Sequence, residues 1–226
     1  MGPFASFVAF DLETTGLDDQ KDEIVEIAGV KFTIDQERDS VTGEPKNNGK
    51  YKQVTLDTFE SFIKPNMHMP EETSKINGIT DDMLVDAPSA EEVLPAFAKF
   101  CGLSTILIAH NASFDAKFLN TAMCKGDMLL PQNPILDSLQ MSRKILPEAK
   151  VHKLGVLAKR FRRELTIKLD DEALHRALYD CEILRDVFLS LLRKQFMLED
   201  LKMSNFMKAV EQVHGQPLQL KSMNFA

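Results

Sequence analysis

The order of its apolar segments is what most limits the folds open to this chain. Three short segments with strand character come first, at 7–12, 24–34 and 54–63, and two more follow at 105–109 and 135–136. Segments with apolar residues three or four positions apart, which is the spacing of a helix, surround the last two. Strands in succession, followed by strands that alternate with helices, predict a mixed five-stranded sheet covered by helices, an α/β fold.

The predicted helices are at 90–101, from Ser113 onward, and at 138–146, 153–161 and 173–196. The polar segment 36–53 lies between the second and third strands and carries Gly43 and Gly49, which is typical of a long hairpin loop. This loop could be merely solvated, or it could contact a substrate or partner. We expect one domain over 5–196, followed by a helical or extended tail over 197–226 that could bind a partner.

The 226 residues carry 27 Lys and Arg against 34 Asp and Glu, a net charge of −7. A chain with this balance does not hold nucleic acid by a global basic excess, but it can still carry a local basic patch. Its three cysteines are sparse and odd in number, so we expect free thiols rather than a disulfide framework or a zinc site. The sequence has no apolar run of about 18 residues and no signal-peptide pattern, which predicts a cytoplasmic protein.

Two acids close the first predicted strand. Asp11 and Glu13 stand two residues apart, and the period of a strand places both side chains on the same face. Neighbouring carboxylates at the end of a buried strand repel each other and lose hydration unless a cation neutralises them. They could also lie in water or cap the following turn. The strand before them is strongly apolar, which favours a pair of cation ligands.

Two more acids and a histidine follow later in the chain. Asp115 lies in the first turn of a predicted helix, where the helix dipole alone would favour an acid. Asp180 lies four residues after Arg176, with which it could form an ion pair. His175 precedes Asp180 by five residues, which on a helix turns a side chain by about 140°. The two can share a site only if His175 lies at or before the helix start; otherwise the histidine is structural.

Four carboxylates brought together at strand and helix ends would suit hard divalent cations such as Mg²⁺ or Mn²⁺. Two such ions about 4 Å apart can hold the attacking and leaving oxygens of a phosphodiester displacement. A nearby histidine can take the proton from the attacking water. The residues therefore indicate metal-assisted hydrolysis of a phosphodiester.

Three segments, FDLETTG at 10–16, HNASFD at 110–115 and HRALYD at 175–180, resemble the motifs of the DEDDh (DnaQ-like) family of 3′→5′ exonucleases. INGITDDML at 76–84 and LDSL at 136–139 look like further blocks of that family. The resemblance spans about residues 5–196. It implies an RNase H-like fold with two divalent cations. The implied activity releases nucleoside monophosphates from single-stranded 3′ ends. The substrate that the resemblance favours is DNA, in proofreading or repair.

By this resemblance the metal ligands are Asp11, Glu13, Asp115 and Asp180. The first of these would be shared by both ions. Glu13 and Asp180 would hold the ion that activates water, Asp115 would complete the ion at the leaving oxygen, and His175 would be the general base. A sister branch of the family uses a tyrosine in the pattern Y-x3-D. Tyr179 stands directly before Asp180 and does not match that pattern, whereas H-x4-D is intact.

The resemblance also implies substrate contacts by Thr14, Thr15 and Gly16 after the first motif, by Ile79 and Phe114 at the base, and by Asn111 nearby. A glycine in the turn would let the backbone approach the sugar closely. The two apolar residues could instead belong to the core. Asn77 stands where many relatives have histidine, which puts one nucleotide contact in doubt.

The substrate and the partners stay open at this stage. Residues 143–168 carry nine Lys and Arg against two Glu, which could follow a phosphate backbone or simply be a solvated face. RNA 3′-end trimming uses the same chemistry, and a non-catalytic binding module of the same fold is a further alternative. The segment 219–225 faintly resembles the peptide with which proofreading subunits dock on a sliding clamp. A DNA polymerase and a sliding clamp are therefore candidate partners.

Overall fold

The computed structural model describes residues 6–36, 51–129, 131–170 and 174–195, with the side chains of 35, 36, 51–53 and 195 left aside. The tip of the predicted polar loop lies outside the described residues. So does the predicted tail with its clamp-like peptide.

Five strands form one mixed sheet: β1 (Ser6–Thr14), β2 (Ile24–Gln36), β3 (Tyr51–Phe62), β4 (Thr105–Ala109) and β5 (Ile135–Asp137). Their order across the sheet is β3-β2-β1-β4-β5. The β1–β2 and β2–β3 pairs are antiparallel, whereas β1–β4 and β4–β5 are parallel. The predicted mixed five-stranded sheet is confirmed. Both hairpin strands, β2 and β3, run further into the polar segment than the sequence predicted.

The helices are α1 (Glu71–Asn77), α2 (Asp81–Leu84), α3 (Ala90–Cys101), α4 (Ala112–Lys125), α5 (Ser138–Ile145), α6 (Leu154–Arg160) and α7 (Ala177–Gln195). The sequence did not predict α1 and α2, because seven and four residues are too few to show a helical period. Among the described residues, no helix has both the length and the apolar character needed to span a membrane.

Alternate residues of β1 supply the two sides of the core. Phe7 and Ala9 belong to the apolar cluster that includes the buried face of α7, and Val8 and Phe10 belong to the cluster with α3 and α4. This alternation follows from the two-residue period of a strand. Asp11 continues the series of Phe7 and Ala9, so it lies on the side of the sheet that α7 covers.

Small side chains let the first turns of α7 lie close to the sheet. Ala177 and Cys181 of α7 pack against Ala28 and Val30 of β2, and all four are fully buried. Because little side-chain volume separates the helix from the sheet, the start of α7 lies against the central strands. This packing carries Asp180, between the two α7 residues, to the end of β1.

Candidate active site

The first motif occupies the last residues of β1. Asp11 and Glu13 are both half-buried and lie on the same side of the sheet. Glu13 is paired in register with Glu26 of β2, and the register shifts directly after it. The shift ends regular pairing, so β1 presents its carboxylates where the ladder with β2 becomes irregular.

The second motif lies where the neighbouring parallel strand ends. β4 ends at Ala109, and the chain turns through Asn111, whose φ of 72° is left-handed, into α4. Asp115 is in the first turn of α4 and is only 3% exposed. Because β1 and β4 are parallel neighbours, their carboxyl ends meet at the same edge of the sheet. Asp115 is thereby brought to Asp11, and the repulsion between them helps to raise the pKa of Asp11.

The third motif lies at the start of α7. His175 comes two residues before the helix and has a φ of 70°, a left-handed conformation that is costly for a residue with a Cβ. Its backbone N–H donates to Asp180 Oδ2 at 3.2 Å. Ligand atoms of Glu13, His175 and Asp180 all lie within 4.8 Å of one another. The left-handed turn is what lets His175 and Asp180 face one site, as an unbroken helix would not.

Burial and mutual repulsion disfavour the ionised form of the clustered carboxylates. Burial raises the pKa of Asp11 well above its usual range, and the carboxylates of Asp115, Asp180 and Glu13 raise it further. Burial is also the main cause that raises the pKa of Glu13 to about 8, that of Asp115 to about 8 and that of Asp180 to about 6. A divalent cation at this point would reverse the effect, because it favours the ionised carboxylates.

The donor set fits such a cation. Asp180 Oδ1 is buried and has no hydrogen-bond partner among the described residues, although a buried carboxylate oxygen normally has one. Carboxylate oxygens are the ligands that suit Mg²⁺ or Mn²⁺. We conclude that the cluster could hold a divalent cation.

Tyr179, the tyrosine directly before Asp180, forms hydrogen bonds outside the carboxylate cluster. Its hydroxyl donates to the carbonyl of Lys168 at 3.1 Å and accepts the backbone N–H of Asp170 at 2.5 Å. The hydroxyl is therefore engaged with the segment that precedes His175. The tyrosine pattern of the sister branch is not reproduced.

The turn after β1 is held by its own contacts. The Thr14 hydroxyl donates to the carbonyl of Gly16 at 2.6 Å, and the buried Thr15 hydroxyl donates to Asp22 Oδ1 at 3.2 Å. A Cβ on Gly16 would lie 2.4 Å from the Asp22 carboxylate, so any larger residue here would have to displace this carboxylate. The three predicted substrate contacts thus have structural roles within the turn, whatever they bind.

The structure places Ile79 in the core. It is 0% exposed and packs in a cluster with Val25, Met69 and Leu84, which agrees with the core alternative for this residue. Asn77, just before it, is buried, and its Oδ1 accepts the N–H of Ile79 at 3.1 Å. The Asn77 amide beside Glu13 partly offsets the effect of burial on the pKa of Glu13.

The two remaining predicted contacts lie at the start of α4. Phe114 is half-buried, and its ring centroid is 4.8 Å from that of Phe118. Asn111 is exposed, and its backbone N–H donates to Asp137 Oδ1 at 3.1 Å. Both residues are close in sequence to Asp115, and each retains some exposed surface.

No pattern in the sequence indicates the ion pair that a buried glutamate forms with a half-exposed arginine beside the site. Glu26 is 0% exposed; its Oε1 lies 3.2 Å from Arg176 Nη2, and its Oε2 accepts the N–H of Ala177 at 3.3 Å. The alternative ion pair of Arg176 with Asp180 does not form, because the guanidinium turns to Glu26 and lies 5.6 Å from the centroid of the Phe62 ring. The available signal was an acid, Glu26, within the apolar first part of β2.

The sheet has the strand order β3-β2-β1-β4-β5, and acids from β1, α4 and α7 meet at one of its edges. Together these features define the protein as an exonuclease of the RNase H-like fold. The family model RNase_T, described as Exonuclease, matches residues 8–188, and the chain belongs to this exonuclease family. The resemblance read from the motifs is confirmed, and the enzyme class is 3′→5′ exonuclease.

Among curated proteins, DNA polymerase III PolC-type of Staphylococcus aureus is 38% identical over 190 residues. These residues are 84% of this chain and 12% of that polymerase, so the chain spans about an eighth of the relative. Exonuclease X, solved with 5′-overhanging duplex DNA, is 25% identical with a TM-score of 0.58, over 83% of this chain and 91% of that one. Exonuclease I of E. coli, solved with a dT13 oligonucleotide, has a TM-score of 0.63 over 92% of this chain and 44% of that one. At 15% identity, it shows the fold alone.

Proposed function

We propose that the chain is a metal-dependent exonuclease that removes nucleoside 5′-monophosphates from the single-stranded 3′ end of DNA. The observation that carries the proposal is the meeting of Glu13, His175 and Asp180 within 4.8 Å, beside the half-buried Asp11 and the buried Asp115. Four acids whose pKa values rise so far destabilise the fold unless they hold cations. A binding module without catalysis would have no physical reason to keep them.

The four carboxylates would hold two divalent cations, Mg²⁺ or Mn²⁺. When bound, these ions lower the pKa of water and stabilise charge on the leaving oxygen. By the family resemblance, Asp11 would be a ligand of both ions, and the pKa of Asp11 is raised by burial and by the carboxylates of Asp115, Asp180 and Glu13. Glu13 and Asp180 would hold the ion next to His175, and Asp115 would complete the other.

His175 would act as the general base. Its exposed ring can take a proton from the attacking water and release it to solvent, and its backbone bond to Asp180 fixes its position. The water oxygen then forms a bond to phosphorus as the bond from phosphorus to the 3′ oxygen breaks. The shortened strand leaves with a 3′ hydroxyl, and the released nucleotide carries the 5′ phosphate.

We infer a DNA substrate because the match to the PolC-type polymerase covers 84% of the chain. The same match supports proofreading or repair in association with a DNA polymerase. A cytoplasmic location is consistent with the three cysteines, which are all free.

The test is degradation of 5′-labelled single-stranded DNA, duplex DNA and RNA with Mg²⁺, Mn²⁺ or EDTA. We expect a ladder that shortens from the 3′ end of single-stranded DNA and disappears in EDTA. Asp180→Asn should abolish the ladder, whereas Asp82→Asn, at an exposed acid of α2, should not. Preferred degradation of RNA would refute the DNA assignment, and no degradation by folded protein would refute the proposed activity.

A further inference from the structure

A groove of about 700 Å³ lies on the protein outside the carboxylate cluster. Its lining consists of Lys159, Arg162, Arg163, Ile167, Lys168 and Leu169. All four cationic side chains are exposed, and none of the described residues that line the groove is acidic or aromatic. In a chain with a net charge of −7, this is a local concentration of positive charge.

The local sequence explains how these cations come to line one groove. α6 ends at Arg160, and the buried Phe161 fixes the turn that follows, so that Arg162 and Arg163 face solvent. After the turn, Ile167 and Leu169 pack on the core while Lys168 between them is exposed. This alternation is that of an extended segment.

The segment is also held in place from beneath. Buried Arg185 donates to Asp186, to Thr166 Oγ1 at 2.8 Å and to Thr55 Oγ1 at 3.0 Å. The N–H and the hydroxyl of Thr166 donate in turn to Asp186. Cations on a segment that is fixed in this way lose less conformational entropy when they bind a ligand.

The dipole of α6 accounts for only some of the cations that line the groove. Lys159 and Arg160 lie in the last turn of α6, where cations are favourable, and Arg160 pairs with Glu148 at 2.6 Å. Arg162, Arg163 and Lys168 lie beyond the helix, and none of them has an acidic partner among the described residues. Their charge is therefore available to a ligand.

The groove is close to the catalytic cluster. The hydroxyl of Tyr179, next to Asp180, donates to the carbonyl of Lys168, and Lys168 stands seven positions before His175. A fully extended chain of seven residues spans at most about 25 Å. A single strand with its end at the carboxylates can therefore reach the groove within a few nucleotides.

We propose that this groove binds the phosphate backbone of the single strand whose 3′ end is being hydrolysed. The inference rests on the proposed function and adds the path of the substrate. Since cations without aromatic partners bind phosphates rather than stacked bases, the contact is independent of sequence and sensitive to salt.

The test measures fluorescence anisotropy of labelled oligothymidylates of about 4 and about 16 nucleotides in EDTA, which prevents hydrolysis. The variant is Arg162→Ala with Lys168→Ala. Its matched control is Lys99→Ala with Lys125→Ala, which removes two exposed cations from α3 and α4, on the other side of the sheet.

At about 0.1 M salt the groove variant should bind the long strand roughly 10- to 30-fold more weakly, and its log–log salt slope should fall by about 1.4, or 0.7 per lost phosphate contact. The short strand and the control variant should show no such change. Equal affinity and slope for the groove variant would overturn the inference. So would unchanged DNA binding with lost binding to phosphatidylglycerol vesicles, since the groove would then be a membrane surface.

A second substrate separates this inference from the proposed function. The p-nitrophenyl ester of thymidine 5′-monophosphate occupies only the reacting end, so the groove variant should hydrolyse it with unchanged kcat and KM. If the wild-type protein hydrolyses neither this ester nor DNA, the proposed function fails. The binding measurement in EDTA still decides on the groove.

Discussion

Replacing Asp115 by Asn should stabilise the metal-free protein. The carboxyl is 3% exposed, and its burial, opposed by backbone hydrogen bonds and reinforced by Asp137, raises its pKa from 3.8 to about 8. The amide of asparagine has nearly the same volume and never ionises. The substitution therefore removes an electrostatic cost and leaves the packing of α4 largely unchanged.

The sign and size follow from the two pKa values. A carboxyl whose pKa is higher in the folded state supports folding fully below about pH 4 and loses this contribution as the pH rises to about 8. Each pKa unit corresponds to about 1.4 kcal/mol, so at pH 7 the group costs up to about 4 kcal/mol. Asp11 gains as well, because Asp115 is one cause of its raised pKa.

The assay is urea unfolding followed by circular dichroism in EDTA, between about pH 4 and pH 8. The free energy of unfolding of the wild type should fall more steeply with pH than that of Asp115→Asn, by about 1.4 kcal/mol per pH unit. The two proteins should be nearly equal at the acidic end. Added Mg²⁺ should narrow the difference at pH 7, since a cation at about 100 times its Kd adds about 2.7 kcal/mol to the protein that binds it.

Parallel pH profiles for the two proteins would refute the reasoning. They would mean that Asp115 has the same pKa in the folded and unfolded states, and that the acids at the site do not repel each other. Asp82→Asn, at an exposed carboxylate, should leave the profile unchanged and is the control for loss of any one negative charge.

Three further outcomes are expected. His175→Ala should lower kcat by about 10²–10⁴-fold, the usual contribution of a general base, with little change in the urea midpoint because the side chain is exposed. Glu26→Gln should destabilise the protein in urea by less than about 1 kcal/mol, because Arg176 is 43% exposed and the lost ion pair is offset by weaker repulsion among the clustered carboxylates, whereas Glu60→Gln on the exposed face of β3 should leave the midpoint unchanged. Gly16→Ala should reduce exonuclease turnover, because its Cβ displaces the Asp22 carboxylate that holds the turn.

Much of the fold could be predicted from periodicity. The bounds of α3 and β4 agree with the predicted 90–101 and 105–109, because an amphipathic helix and a fully apolar strand give strong patterns. The start of α7 was predicted too early. Its apolar stripe continues upstream, but the left-handed His175 interrupts the helix, and no local pattern announces that.

The site was less predictable where it depends on distant partners. Arg176 and Glu26 are 150 residues apart, so only the folded chain reveals their pair. Ile79 belongs to a core cluster formed with β2 and α2. The sequence did not predict this cluster, because α2 has only four residues and shows no helical period. In contrast, the two-residue period of a strand was enough to place the side chains of Asp11 and Glu13 on one side of the sheet.

The small residues between α7 and the sheet determine the position of a catalytic carboxylate. Ala28, Ala177 and Cys181 have no exposed surface, and they set how near the helix comes to β1. A larger side chain at any of them would lift the helix and move Asp180 away from Glu13, with no change in a residue that touches substrate. Losses of activity should therefore arise at such interior positions and be reversed by shrinking a neighbouring side chain.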